Sequence, residues 1–182
     1  MEVRNASCTL DRFGLPQGKQ VLKTVREYKE TAYLYENPRT DNPCVYEVYT
    51  FTEAEDQKAG SLCWGLTVLK PVYSAGECNM TKGHFHRNRE CAEFYLCTKG
   101  QGLLLLMDES GKTWAEEMKP GSLHYIRGDN AHRSINTGNE DLWISACWPS
   151  DAGHDYAAVE EREFRYRVKK HGDEIIFEER DI

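Results

Sequence analysis

Three histidines and one glutamate in this sequence are spaced as a single metal centre would need them. His84 and His86 are two apart, Glu93 follows seven residues later, and His132 lies about forty residues beyond that. Side chains at i and i+2 of a strand point to the same face, so the two imidazoles would aim at one point. Arg87 to Glu90 reads as a polar turn, after which Glu93 opens a run that can return alongside the histidines. His132 follows Arg127-Gly128-Asp129-Asn130, a second turn, and stands just before another expected strand. Three imidazoles and one carboxylate suit Fe(II), Mn(II), Ni(II), Co(II) or Zn(II). A six-coordinate ion would keep two positions for water or substrate, which is a catalytic arrangement rather than a closed structural one. An H-x-H pair alone is commonly accidental; Glu93 and His132 at compatible spacing make it a candidate ligand set. We expect one divalent ion per chain, with Fe(II) first among these metals. His124, inside a strand-like run, reads as packed or exposed, and His171, in a charged tail, as solvated.

Four converging ligands need a rigid scaffold, and the middle of the chain supplies a β-rich one. Short runs of valine, tyrosine, leucine and tryptophan alternate with turn residues: Val45–Phe51, Cys63–Leu69, Glu93–Cys97, Gly102–Met107, Ser122–Ile126 and Leu142–Trp148. Many short strands at this spacing predict an antiparallel sandwich or small barrel. Within Glu93–Cys97, Glu93, Tyr95 and Cys97 share one face while Phe94 and Leu96 share the other. The first 44 residues are more polar and read as an arm around this core, with one short helix expected near Gln20 to Glu30. Residues 45–150 form the barrel, and 151–182 a charged extension with a final strand at Glu174 to Phe177. No linker, repeat or low-complexity block divides the chain, so a single domain is expected.

A net charge of −7 and a pI of about 5.4 oppose a general role on nucleic acid or an anionic membrane, which calls for a basic field. They do not exclude a local pocket for a small anion. The seven cysteines form no CxxC pair, so a zinc ribbon or redox dithiol is not indicated. Several sit in apolar runs, where free cysteine behaves as a small hydrophobe, and we read a reducing, cytoplasmic compartment. No run approaches the ~18 apolar residues of a membrane span.

The ligand residues stand in a pattern that resembles the two cupin motifs. His84, His86, Glu93 and Gly100 fit the first motif, and Gly121, His132 and Asn136 the second. Cys78 replaces the expected opening glycine, the spacer before Glu93 is six residues, and Arg127 and Asp129 replace the usual proline and glycine. These departures fit one branch. Thr81-Lys82-Gly83-His84-Phe85-His86, Glu93-Phe94-Tyr95, Ala131-His132-Arg133 and Asp151-Ala152-Gly153-His154-Asp155-Tyr156 together look like cupin-type glucose-6-phosphate isomerase, as does Val45-Tyr46-Glu47-Val48-Tyr49. The resemblance spans roughly Val45 to Tyr156.

It implies a double-stranded β-helix (jelly-roll) barrel and interconversion of glucose 6-phosphate and fructose 6-phosphate by a metal-dependent enzyme. It makes Glu93 both ligand and proton carrier, with a metal-assisted hydride shift as the competing route, and places His154 near the substrate to assist ring opening. By the same residue-wise match, Tyr46, Thr67, Thr81, Gly83, Tyr95 and Tyr156 would line the sugar-phosphate pocket. Position 129 is where the family often carries an aromatic, so Asp129 is expected to alter sugar contacts. Cupins commonly pair edge strands, which implies a homodimer. The rival readings are a non-catalytic cupin that binds a sugar or effector, and a cupin oxygenase using Fe(II).

Overall fold

Alternation decides the strand that carries Glu93: Glu93 and Cys97 are buried, while Phe94 and Leu96 face outward. In a computed structural model, which describes residues 1–53 and 58–181, this strand is β8 of fifteen among the described residues. The order is β1 (Thr9–Leu10), β2 (Pro16–Gln17), β3 (Val21–Glu27), β4 (Cys44–Phe51), β5 (Leu62–Leu69), β6 (Tyr73–Ser74), β7 (Glu77–Cys78) and β8 (Glu93–Lys99). It continues with β9 (Gly102–Met107), β10 (Thr113–Met118), β11 (Leu123–Ile126), β12 (Ala131–Asn136), β13 (Leu142–Pro149), α1 (Ala157–Glu161), β14 (Tyr166–His171) and β15 (Glu174–Glu179).

Two sheets enclose the core. The larger runs β11-β8-β13-β5-β4-β3 and the smaller β10-β9-β12, all pairs antiparallel. Isolated bridges Met80↔Ile135 and His84↔His132 lay the segment before the first two ligands along the free side of β12. A third sheet, β15-β14-β7-β6, uses the C-terminal extension to close one end. Leu104, Leu106, Met118, Ile126, Ile135 and Ile144 from both main sheets meet in one apolar cluster. At roughly 1.5–3 kcal/mol per fully buried large aliphatic side chain, this cluster supplies the main folding force. The fold is an all-β cupin barrel, as expected.

Three sequence expectations change. The helix expected near Gln20 to Glu30 is instead β3, paired along β4 from Val21↔Phe51 to Glu27↔Cys44, with a single 3-10 turn at Tyr28–Glu30. Valine and threonine in this stretch tolerate either state, and the otherwise open backbone edge of β4 selects the strand. Part of the expected arm is therefore a strand of the main sheet. The second change concerns His132, which lies within β12 rather than before it. Lastly, β10 and β14 are strands that the apolar runs did not mark.

Candidate metal centre

His84, His86, Glu93 and His132 converge inside the barrel, with one ligand atom from each lying within 4.8 Å of all the others. Ligands about 2.1 Å from a common ion stand roughly 3–4.2 Å apart, so the four groups need to close by only a few tenths of an ångström. β12 sets His132 opposite His84 through backbone bonds in both directions, His84 N–H to His132 C=O and the reverse. β8 presents Glu93 from the facing sheet.

The outer shell aims the rings. His86 Nδ1 lies 2.6 Å from the Cys91 carbonyl, so Nδ1 carries the proton and Nε2 offers its lone pair inward, 3.2 Å from Glu93 Oε2. His132 Nε2 also lies 3.2 Å from Glu93 Oε2, yet it is buried without a hydrogen-bond partner among the described residues. The contact is short but not aligned as a hydrogen bond, and the alignment decides: both atoms face a shared point rather than each other. A buried polar atom left so calls for an ion or water. Burial, with the fields of His132, His154 and His86, holds the His84 imidazole well below its usual range, and so neutral. Burial pushes the Glu93 carboxyl up, but its short contacts with the His132 and His86 imidazoles outweigh that and hold the carboxyl below its ordinary value. Neutral imidazole and ionised carboxylate are the forms that bind cations. The donor set fits a divalent ion.

These groups form one wall of a cavity of about 240 Å³. That lies just under the usual ~300–1,000 Å³ of drug-sized pockets, a size for a small metabolite rather than a polymer. Register shows how the large sheet lays out its floor. Tyr95, Ala146, Gly65 and Thr50 stand in one row across four strands, Ile144, Thr67, Val48 and Thr24 in the next, and Leu69, Tyr46 and Arg26 in the third. Glu93 and Arg26 thus occupy opposite corners, with threonine and tyrosine hydroxyls between them. All eight residues expected at the catalytic and sugar-phosphate positions line this cavity: Glu93, His154, Tyr46, Thr67, Thr81, Gly83, Tyr95 and Tyr156. His154 sits open to solvent at the mouth, in edge contact with His84 at 4.4 Å and stacked on Tyr156 at 5.7 Å between centroids. The crowding there is enough for burial to lower its pKa.

Two cations were missed by sequence reasoning. Arg26 and Lys82 both line the cavity. Arg26 spends Nη1 on Glu30, and its Nε is buried with no partner among the described residues. Nothing marks Arg26 in the sequence beyond its place in a charged stretch. Asp129 departs from expectation: it is not among the lining residues, because Arg127 holds it in a two-point ion pair at 3.0 and 2.6 Å. His124 is buried between Glu116 at 2.6 Å and Ser122 at 2.9 Å, tying β11 to β10, and takes no part in the cavity. His171 is exposed.

Fold and site together define a cupin barrel with a potential three-histidine, one-carboxylate metal centre in a small polar cavity. Residues 20–179 match the family model described as glucose-6-phosphate isomerase (GPI), and the chain belongs to that family. The glucose-6-phosphate isomerase of Thermococcus gammatolerans is 36% identical over 164 residues, covering 88% of this chain and 86% of that one. That of Pyrococcus horikoshii is 40% identical over 135 residues, covering 74% and 70%, and that of Sinorhizobium medicae 32% over 130 residues, covering 71% and 60%.

Proposed function

We propose that this protein is a metal-dependent enzyme interconverting glucose 6-phosphate and fructose 6-phosphate. The observation that carries the reading is the division of the cavity. A carboxylate–imidazole centre stands at one corner, and Arg26, with Lys82 nearby on the cavity wall, at the other. A sugar phosphate needs the same division, with an electrophilic carbonyl at one end and a dianion at the other.

A divalent ion held by His84, His86, Glu93 and His132, Fe(II) by preference, would supply a Lewis-acid charge that polarises the carbonyl. The remaining work belongs to the chain. His154, neutral near pH 7 because its pKa is lowered, takes the proton of the anomeric hydroxyl. The bond from C1 to the ring oxygen breaks, and that oxygen receives a proton. Glu93, ionised and facing the cavity, takes the proton from C2 as the bonding pair forms the C1–C2 double bond and the carbonyl pair moves onto O1. O1 takes up the proton that O2 gives up as the C2 carbonyl forms, and Glu93 returns its proton to C1. A carboxylate bound to a cation has a lowered proton affinity, so Glu93 would be the stronger base when free of an ion. Arg26, Lys82, the Gly83 amide and the hydroxyls of Tyr46, Thr67, Thr81 and Tyr156 hold the phosphate and sugar. Desolvation of the half-buried Tyr95, with the charge of Glu93 nearby, pushes its phenol well above its ordinary value and keeps it protonated.

A coupled dehydrogenase assay on fructose 6-phosphate tests the activity, and absence of turnover in metal-loaded protein would reject it in favour of the binding-module or oxygenase reading. The rest of the expected setting is proposed with it: a pathway role in glycolysis and gluconeogenesis, a cytoplasmic location, and a homodimer. Among the described residues no helix is long and apolar enough to cross a membrane. The dimer finds support in edge strand β11 and its neighbour β8, whose outward Leu123, Tyr125, Phe94 and Leu96 are 38–63% exposed. Light scattering on Leu123→Asp tests it: a wild-type dimer and a monomeric variant are expected, and a monomeric wild type removes it.

A further inference from the structure

Arg133 follows His132 on β12 and points away from the metal centre. Its side chain is buried, 4% exposed, and no carboxylate pairs with it among the described residues. Instead Nε and Nη2 both donate to one acceptor, the carbonyl oxygen of Lys82, at 3.2 and 2.5 Å. Phe164 lies under the guanidinium at 4.8 Å. An unpaired buried cation is an expensive way to join two strands, so its geometry warrants a reason beyond packing.

The peptide between Lys82 and Gly83 supplies one. It is trans, and in a planar trans peptide the C=O and N–H point in opposite directions. A carbonyl drawn toward Arg133 therefore turns the Gly83 N–H away from Arg133, and Gly83 also lines the cavity of the candidate metal centre. Of the amides along this segment, Thr81 N–H bonds Ser134 C=O and His84 N–H bonds His132 C=O, whereas the Lys82 and Gly83 N–H groups have no backbone acceptor among the described residues. Gly83 has φ +75°, and a Cβ there would lie 3.0 Å from Phe164 and 3.1 Å from Arg133 Nε. The residue is thus pressed against the same guanidinium that holds its peptide.

We infer that Arg133 is a positioning residue: by clamping the Lys82 carbonyl it aims the Gly83 amide at the substrate's phosphate, beside Lys82 and Arg26. The assignment rests on the proposed placing of the phosphate at this corner. One strand then sets both halves of the site, His132 on its inner side for the carbonyl end and Arg133 on its outer side for the anion end.

The test is titration of inorganic phosphate into metal-loaded wild type and Arg133→Lys, followed by calorimetry, with steady-state kinetics on fructose 6-phosphate alongside. Lysine keeps the charge but not the two-point grip. We expect phosphate affinity to fall roughly tenfold, as for loss of one charge-assisted hydrogen bond. KM should rise in step, while kcat, metal content and Tm stay near wild type. Unchanged phosphate affinity in a folded variant overturns the inference. Should Arg133→Lys not fold, Arg133→Gln is measured in its place, and failure of both to fold makes Arg133 a core strut and also overturns it. Absence of phosphate binding to wild type removes the phosphate corner itself, while turnover of fructose 6-phosphate remains the separate test of activity.

Discussion

The carbonyl oxygen of Cys91 lies 2.6 Å from Nδ1 of His86, and this contact decides which nitrogen of the ring faces the metal centre. The carbonyl is held in turn by a close approach of backbone. A Cβ placed on Gly128 would stand 2.3 Å from the Arg89 oxygen and 2.4 Å from the Cys91 oxygen. Side-chain adjustment cannot relieve either clash, because both partners are backbone.

Gly128→Ala is therefore expected to displace the Cys91 carbonyl and weaken metal binding by roughly 10–100-fold, the usual effect of losing an outer-shell partner. Metal titration monitored by calorimetry checks it. Wild-type affinity in a folded Gly128→Ala protein would show that Cys91 does not orient His86.

His132→Ala removes a candidate ligand whose Nε2 has no hydrogen-bond partner among the described residues. Metal content and turnover should fall together in this variant. Metal analysis showing one ion per chain still bound would exclude His132 from the ligand set.

Arg26→Met tests the anion corner from the other side. Losing a charged donor to phosphate should lower kcat/KM for fructose 6-phosphate by roughly 10–100-fold while metal content is kept. Unphosphorylated fructose serves as the control, since its poor turnover should not change further. Equal losses on both sugars would place Arg26 in structure rather than in phosphate binding.

Cys78 is fully buried between the third sheet and the core, and burial pushes its thiol up to about 12. The folded chain thus favours the protonated form. Its contribution to stability is complete below the unfolded value of 9.0 and is lost as pH rises toward 12. At pH 8, a thiol reagent should modify the partly exposed Cys8 quickly and Cys78 only at the rate of global unfolding. Fast native-state labelling of Cys78, read by peptide mass spectrometry, would contradict this.

The convergence of the four candidate ligands was legible because their spacing follows rules that hold before folding. Period-two alternation puts His84 with His86, and Glu93 with Tyr95, on common faces whatever the barrel does later. Strands with apolar runs were legible for the same reason. The extent of β12 was not: a strand was expected only after His132, because Ala131-His132-Arg133-Ser134-Ile135-Asn136 is mostly polar, although all six residues are buried. Burial is possible there because the polar groups find specific partners: Asn136 donates to the carbonyls of Leu69 and Glu140, and Arg133 to that of Lys82. Such pairings are long-range and leave no local trace. Arg26 was hidden by the same kind of effect, since only the pairing of β3 with β4 turns a charged, helix-tolerant stretch into a cavity wall. Asp129 was misplaced because a local ion pair with Arg127, two residues away, captures it.

On the proposed reading, catalysis depends on one ion held by His84, His86, Glu93 and His132. Turnover of fructose 6-phosphate should be measured before chelation, after exhaustive removal of metal, and after reloading with Fe(II) or Mn(II), with metal per chain determined on each sample. The expected result is loss of activity with the metal and recovery in proportion to one ion bound per chain. Full activity in protein stripped of metal would contradict the account.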